Sequence, residues 1–265
     1  MLFRSIDAGV DAIAFYAFRP AEPAAAVAKA RSAGIPVFTF VRPSFPVNAA
    51  LLYPNFNQGV CMAEWLADRL AAGARVGILG GPDTSDDAEQ IAGLLYAFRR
   101  RRVTLANDPT DPTWCNLTDA PSGGEEVALR LLKAHPELEA LVAYNDQTML
   151  GALAAFDKIG RPSGLTLISR NGSPQAVAEI RAGRSQGTWD LDASGIGTAL
   201  GELIVRHLTV EPLRDGYLGI GPVGRMIDAD NVDTWQPWTA RVTVKPFTFG
   251  LGGPARNGSA GDGPR

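Results

Sequence analysis

The feature that most constrains the fold is a repeated junction between an apolar strand and a helix. The mostly apolar run at 140–144 ends in a polar turn at Asn145 and Asp146, and a helix of small residues follows. A second apolar run at 165–169 ends in a similar turn that contains Asn171. In a parallel sheet, such junctions place polar side chains at the carboxyl edge, where open α/β folds bind small molecules. The two junctions therefore predict a ligand site built from loop tips.

Strands and helices alternate along most of the chain, with short connections between them. This alternation is typical of βαβ units and predicts an α/β fold with parallel sheets whose strands are buried on both faces. Strands are predicted at Ala12–Ala17, Val37–Val41, Arg75–Leu79, Val103–Ala106, Ala140–Tyr144, Leu165–Ser169 and Thr188–Leu191. Helices are predicted near residues 21–33, 58–72, 86–100, 123–134, 147–159, 174–182 and 195–208.

Composition and charge disfavour several classes of function. The 265 residues are 46% hydrophobic, which is typical of a globular protein with one large core or two modest ones. A net charge of −3 gives no general attraction to nucleic acid, and the basic run at 99–102 is expected at a helix C-terminus, where cations offset the dipole. With His135 and His207 as the only histidines, we expect no histidine-dependent catalysis, no metal and no cofactor.

Four segments, taken in order, carry a resemblance to a known family. They are Gly34–Phe40, the Asn145-Asp146 junction with Leu150-Gly151-Ala152, the turn Asn171-Gly172-Ser173-Pro174, and Gly187-Thr188 followed by Ile196-Gly197. In this order they resemble the type I periplasmic sugar-binding proteins, the solute receptors of ABC importers, whose fold is shared by the effector domains of LacI-type repressors. The resemblance covers roughly positions 7–232. It implies two lobes, each a doubly wound parallel sheet flanked by helices.

The resemblance also implies where the two lobes meet. In the family the chain crosses between lobes three times, which here falls near 53–57, 187–192 and 219–224. These segments are rich in Gly, Pro, Asn or Asp, as hinges are expected to be, and Asn57 and Gly187 are the predicted hinge residues. The predicted N-terminal lobe comprises residues 1–55 and 190–221, and the predicted C-terminal lobe comprises residues 56–189 and 222–249. The Gly- and Pro-rich residues 250–265 are expected to form a disordered tail.

The first residues, 2–9, have the pattern of the last turns of a helix that ends at a glycine and leads into a strand. In the resembled family, this helix would itself follow a strand. We therefore expect the chain to be N-terminally truncated, with the first strand or strands of the N-terminal lobe and an export signal lying upstream. The expected location is periplasmic or otherwise extracytoplasmic.

The resemblance further implies a site whose groups suit a sugar. Hydroxyl groups need amides, carboxylates and arginine as hydrogen-bond partners, and sugar ring faces need aromatic planes. Transposed onto this sequence, the expected polar contacts are Arg42, Asn145, Asn171, Asp190 and Gln90. The expected stacking residue is Trp114, with Phe15, Tyr16 and Phe18 as further candidates.

These residues also have structural explanations. Asn145 and Asn171 would cap helices, and Arg42 would be a solvated surface charge. Asp190 would hydrogen-bond within a hinge, and the tryptophan and the two phenylalanines would pack against their own lobe.

The sequence departs from the family pattern at four positions, each of which bears on the ligand. Val41 replaces an acidic residue before Arg42, and Asn171 replaces another acidic residue. Gln90 stands in place of an arginine, and Leu191 in place of a glutamine. Because these changes remove charge, the ligand is expected to differ from a plain pentose or hexose.

Three functions remain open from the sequence. The leading one is a monomeric receptor that binds a sugar or polyol between its lobes and delivers it to an ABC transporter permease, with no role for nucleic acid. The second is a ligand-sensing effector domain of a LacI-type transcriptional regulator. The third is an enzyme on an open α/β sheet, which is disfavoured because nothing resembles an activated nucleophile, an acid–base pair or a cofactor loop.

Overall fold

The structure is a computed structural model that describes residues 2–16 and 22–242. The strands are β1 (Ile13–Phe15), β2 (Val37–Thr39), β3 (Ala49–Leu52), β4 (Arg75–Leu79), β5 (Thr104–Leu105), β6 (Ala140–Ala143), β7 (Thr166–Asn171), β8 (Gly187–Asp190), β9 (Tyr217–Ile220) and β10 (Arg225–Asp228). The helices are α1 (Leu2–Asp7), α2 (Ala24–Ser32), α3 (Asn55–Ala67), α4 (Ser85–Arg101), α5 (Pro121–Ala134), α6 (Asp146–Ile159), α7 (Pro174–Arg181), α8 (Ala193–Thr209) and α9 (Trp238–Arg241). Phe18 and the predicted tail at 250–265 lie outside the described residues.

The strands form two sheets, as an α/β fold of this kind requires. One has the order β1-β2-β3-β9 and is parallel throughout. The other has the order β10-β8-β7-β6-β4-β5 and is parallel except for β10, which runs antiparallel to β8. Each strand and helix predicted from the sequence is present, with shifts at the ends. The prediction that the sheets are wholly parallel is wrong for the six-stranded sheet, because β10, which was not predicted from the sequence, is antiparallel.

Helices cover both faces of the six-stranded sheet, because successive residues of a strand point to opposite sides. On β6, Leu141 packs in a cluster with α5 and α6, whereas Val142 packs in a cluster with α3 and α4. The four-stranded sheet is covered in the same way, with Val37 beneath α2 and Phe38 beneath α8. The burial of strands on both faces, predicted from their composition, is confirmed for β2, β6 and β8.

Two helix pairs cross at glycines, so their backbones touch. A Cβ atom at Gly59 of α3 would lie 2.2 Å from the carbonyl oxygen of Gln90, and one at Gly93 of α4 would lie 2.1 Å from that of Phe56. On the other face, a Cβ at Gly151 of α6 would lie 2.2 Å from the carbonyl oxygen of Pro121. The first crossing holds the N-termini of α3 and α4 together, and these termini supply polar groups to the site described below.

Three connections join the two sheets. They are Tyr53–Pro54 between β3 and α3, Leu191–Asp192 between β8 and α8, and 221–224 between β9 and β10. Asn57 lies inside the first turn of α3, and Gly187 lies inside the sheet, where it pairs with β7 and β10. Neither predicted hinge residue is in a connection, because α3 begins earlier than predicted and Gly187 is at the far end of its strand. No helix among residues 2–16 and 22–242 is long and apolar enough to cross a membrane.

Candidate functional site

A cleft of about 410 Å³ lies between the edges of the two sheets. This volume is within the range of small-molecule sites. The four-stranded sheet and its connections contribute Tyr16, Phe40 and Tyr53. The six-stranded sheet and its loops contribute Asp86, Asp119, Tyr144, Asn145, Arg170 and Asn171, and the β8–α8 region contributes Leu191, Ala193, Ile196 and Gly197.

Asp146, the first residue of α6, fixes the edge of the six-stranded sheet. Its carboxylate accepts hydrogen bonds from the hydroxyls of Ser169 and Thr188, each at 2.6 Å, and from the backbone N–H of Ser173 at 2.7 Å. Burial raises the pKa of Asp146, and these hydrogen bonds oppose the rise. One carboxylate at the start of α6 is therefore bonded to a side chain of β7, to a side chain of β8 and to the backbone at the start of α7, which fixes these elements relative to one another.

Asn145 has two roles in this structure. It caps α6, because its Oδ1 accepts a hydrogen bond from the backbone N–H of Thr148 at 2.9 Å. It also lines the cleft, where its Nδ2 donates to Asp119. The cap is therefore shown, and the predicted contact with a ligand is compatible with it.

Asn171 also lines the cleft but does not cap the following helix. The cap of α7 is Ser173, whose Oγ accepts a hydrogen bond from the backbone N–H of Ala176 at 3.2 Å. Asn171 is the last residue of β7 and has a φ of 123°, a region that residues with a side chain rarely adopt. Such backbone strain costs about 1–3 kcal/mol and is concentrated at functional sites.

Arg170 was not identified from the sequence, although it is the cation that lines the cleft within the described residues. It is 3% exposed, and all three of its guanidinium nitrogens donate to side-chain amide oxygens. Nε donates to Gln58 and Nη1 donates to Gln90, both at 3.2 Å, and Nη2 donates to Asn55. The available signal was a charged residue directly after the predicted strand at Leu165–Ser169, at the edge where a site was expected. Arginine is almost never fully buried without partners.

Two consecutive carboxylates at the start of α4 lie on or behind the wall of the cleft. Asp86 accepts hydrogen bonds from the hydroxyl of Tyr16 at 2.7 Å and from Nδ2 of Asn55 at 3.1 Å, and burial raises its pKa. Asp87 accepts one hydrogen bond, from the backbone N–H of Gly81 at 3.1 Å. Its Oδ1 is buried and has no hydrogen-bond partner among the described residues. Burial raises the pKa of Asp87 to about 7, against the opposing effects of Gly81 and Arg170.

The tyrosines of the cleft are neutral at physiological pH. Burial raises the pKa of Tyr53 and of Tyr144 to about 12, although the nearby Arg170 opposes the rise in both. Burial also raises the pKa of Tyr16, and the neighbouring carboxylate of Asp86 adds to the rise. These phenols can therefore donate hydrogen bonds as well as accept them.

Two contacts cross the mouth of the cleft. One is the hydrogen bond from Tyr16 at the end of β1 to Asp86 of α4. The other is an ion pair between Nε of Arg42, which follows β2, and Oε1 of Glu89 at 3.6 Å. The Arg42 side chain is 57% exposed and does not line the cleft. This position fits the alternative of a surface charge better than the predicted contact with a ligand.

Four other predicted contacts do not line the cleft. Gln90 is buried behind the wall, where it accepts the hydrogen bond from Arg170. Phe15 stacks on Phe45, because the alternation of a strand turns it away from the face that Tyr16 occupies. Trp114 packs against His135, with ring centroids 6.1 Å apart, and against the core beside α5.

Asp190 is the fourth, and its carboxylate serves the connection between β8 and α8. Oδ1 accepts a hydrogen bond from the backbone N–H of Asp192 at 3.0 Å, and Oδ2 accepts from Nε1 of Trp235 at 3.1 Å and from Arg241. This is the hydrogen-bonding role that the sequence left open as an alternative. Within the described residues, no group of three or more His, Cys, Asp or Glu side chains is arranged to hold a metal ion.

Comparisons with curated proteins give several relatives that are named for sugars. The D-ribose/D-allose-binding protein of Pseudomonas aeruginosa is 30% identical over 235 residues, which is 80% of this chain and 69% of that protein. The ribose import binding protein RbsB of Bacillus subtilis is 30% identical over 181 residues, which is 66% of this chain. The chain spans only 56% of the length of that relative.

Solved structures show the same fold at lower sequence identity. An ABC transporter periplasmic solute binding protein from Actinobacillus succinogenes, solved with bound D-allose, has a TM-score of 0.77 at 20% identity, covering 88% of this chain and 84% of that one. A periplasmic ribose ABC transporter protein from Conexibacter woesei has a TM-score of 0.77 at 18% identity, covering 88% of this chain and 78% of that one. Residues 4–212 match the sequence model of the family described as periplasmic binding protein domain. Since that match covers more than half of the chain, the chain belongs to the periplasmic binding protein family.

Proposed function

We propose that this protein binds a sugar or a sugar-like polar solute in the cleft between its two sheets and delivers it to an ABC import permease. The observation that carries the proposal is the cleft itself, whose walls combine hydrogen-bonding side chains with aromatic rings. Sugars present hydroxyl groups that both donate and accept, together with apolar ring faces. Asn171, Asp119 and Arg170 suit the hydroxyls, and Tyr16 and Tyr144 suit the faces.

The two sheets define the lobes that would close on the solute. We assign the described residues up to 52 and residues 193–220 to one lobe, and residues 55–190 and 225–242 to the other, so the boundaries predicted at 55 and 190 move by a few residues. The three connections between the sheets would act as hinges, because Asp192 and Gly224 have positive φ angles and Pro54 adjoins the start of α3. A solute that contacts both walls binds the closed form more tightly than the open one, so binding shifts the population toward closure.

The names of the relatives support this function. The two relatives described above are named for ribose or for ribose and allose, and one of them is named as an import protein. By analogy we propose that this protein acts outside the cytoplasm, as a monomer that binds its solute rather than transforming it. The cleft supports binding over catalysis because its amides, aromatic rings and single described cation suit hydroxyl groups and do not include a nucleophile with an adjacent base.

Thermal unfolding against a panel of pentoses, hexoses and polyols tests the proposal, with calorimetric titration of any hit. A solute at 100 times its dissociation constant stabilises the folded state by about 2.7 kcal/mol, which is a readily measured shift. The panel includes ribose and allose. If no solute in it raises the melting temperature or gives heat of binding, the proposal is refuted.

A matched pair of variants connects binding to the cleft. Asn171→Gly removes a cleft amide at a position whose φ of 123° suits glycine, so the fold should be retained. Arg102→Gly is the control, because Arg102 also has a positive φ, of 56°, but caps α4 away from the cleft. We expect Asn171→Gly to weaken binding about tenfold, as the loss of one buried hydrogen bond would, and Arg102→Gly to leave it unchanged.

A further inference from the structure

The described walls of the cleft contain more negative than positive charge. Asp86 and Asp119 line it as carboxylates, and Arg170 lines it as the described cation. All three nitrogens of the Arg170 guanidinium already donate to amide oxygens behind the wall. The cation is therefore held within the wall as part of the protein's own hydrogen-bond network, and much of its capacity to receive an acidic ligand is already used.

The aromatic lining of the cleft also favours positive charge. Tyr16, Phe40, Tyr53 and Tyr144 contribute rings from both sides. The face of an aromatic ring attracts a cation, and a group of such rings is a common way to recognise an ammonium group. Since the phenols of Tyr53 and Tyr144 remain neutral, their hydroxyls can also serve the hydroxyl groups of the same ligand.

Asp119 is the carboxylate best placed to meet a charged ligand. Its backbone has a φ of 53°, and its Oδ1 is oriented by the hydrogen bond from Asn145. No hydrogen bond reaches the other oxygen of Asp119 from the residues that the structure describes. The side chain is half-buried, which weakens screening by water compared with a carboxylate on the open surface.

From these observations we propose that the solute carries an ammonium group, as an amino sugar or an amino polyol does, and that Asp119 pairs with it. This inference rests on the proposed function, because it specifies the solute of the same cleft. A sugar acid would place a third carboxylate beside Asp86 and Asp119, and like charges at short range oppose binding. A neutral sugar would bind through its hydroxyls alone.

The test uses matched ligands with the full chain. D-glucose and D-galactose are each compared with their 2-amino and uronic acid derivatives, and ribitol is compared with 1-amino-1-deoxyribitol. Ribose and allose are included as further neutral sugars. Binding is measured by thermal unfolding and calorimetric titration at 20 mM and 300 mM salt. We expect an amino derivative to bind at least tenfold more tightly than its neutral parent, as a charge-assisted hydrogen bond would give. We expect the uronic acids to bind more weakly than the neutral parents.

Asp119→Asn separates charge from shape, because asparagine can still accept the hydrogen bond from Asn145. In this variant the ratio of the affinities for the amino ligand and for its neutral parent should fall to about one and should no longer depend on salt. The ratio is compared within the variant, so a change in its affinity for the neutral parent does not affect the test. Asp233→Asn, an exposed change that does not line the cleft, is the matched control and should bind as the unchanged protein does.

The outcomes distinguish the inference from the proposed function. If neutral sugars bind and none of the amino derivatives binds more tightly, the inference is overturned and the proposed function stands. The same conclusion follows if Asp119→Asn retains the full preference for the amino ligand. If no member of the panel binds, both the inference and the proposed function are overturned.

Discussion

Replacement of Asp87 by asparagine tests whether burial determines the charge state beside the cleft. Asp87 is 6% exposed, and its carboxylate accepts a single hydrogen bond, from Gly81. Burial raises its pKa from 3.8 to about 7. The ionised form is therefore costly in the folded protein, whereas the unfolded chain ionises freely.

The direction of the pH effect follows from proton binding. Between pH 4 and pH 7 the folded protein retains the proton on Asp87 and the unfolded chain has lost it. Because the folded state then binds more protons, the contribution of Asp87 to the free energy of unfolding falls as pH rises through this window. From pH 5 to pH 7 the fall is about 2–3 kcal/mol, at about 1.4 kcal/mol per pH unit. Above the folded pKa no further loss is expected.

Urea unfolding at pH 5 and at pH 8 measures this difference. Asparagine has the shape of the protonated side chain, accepts the same hydrogen bond from Gly81 and does not titrate. We therefore expect the advantage of Asp87→Asn over the unchanged protein to grow by about 2–3 kcal/mol between the two pH values. Asp86 and Asp146, whose pKa values are also raised, contribute to both proteins and largely cancel. An advantage that is the same at both pH values would refute the reasoning.

Three further predictions concern the walls of the cleft and the helices behind them. Arg170→Met should lower the free energy of unfolding, measured in urea, by about 3–5 kcal/mol, because three buried amide oxygens lose their donor. The control Arg184→Met breaks ion pairs at the surface and should cost less than about 1 kcal/mol. Equal losses in the two variants would argue against the buried network. Gly93→Ala should cost at least about 2 kcal/mol in the same assay, since the new methyl group meets backbone at 2.1 Å; Gly201→Ala on α8 meets nothing within 4 Å and should stabilise by about 0.5–1 kcal/mol. Tyr16→Phe removes a hydrogen bond across the cleft and should increase the radius of gyration of the free protein in small-angle X-ray scattering, whereas an unchanged radius would show that the bond does not hold the lobes together.

Hydrophobic pattern was enough to predict seven strands and seven helices, because each has a strong period or a clear boundary. The strands β3, β9 and β10 were missed for local reasons. Ala49–Leu52 contains no β-branched residue, so it has no marked strand propensity. β9 has the strand-forming Tyr217 and Ile220, but Gly219 between them weakens the pattern. β3 forms a strand because it pairs with β2, and β9 because it pairs with β3. Such pairing cannot be seen in the sequence of a short segment.

The position of the cleft was predictable, but its lining was only partly so. Asn145 and Asn171 follow directly from the two strand-to-helix junctions, and both reach the cleft. Arg170 could not be assigned a role, because its amide partners come from α3 and α4, more than 75 residues away along the chain. Phe15 and Tyr16 were both candidates, and of the two Tyr16 lines the cleft, since a difference of one residue reverses the face of a strand. Which of these side chains contacts a solute stays a prediction.

The carboxylate of Asp146 has a consequence for how binding preference could change during evolution. It joins β7, β8 and the start of α7 through Ser169, Thr188 and the backbone of Ser173, yet its own side chain does not line the cleft. The frame and the variable positions are thus separate residues. Exchanges at a cleft residue that caps no helix and has no positive φ, such as Tyr144, can alter the chemistry offered to a solute without moving the backbone, so new preferences are accessible by single substitutions. To change the binding preference of this protein by design, the residues that hold Asp146 would be kept and the side chains that face the cleft would be varied.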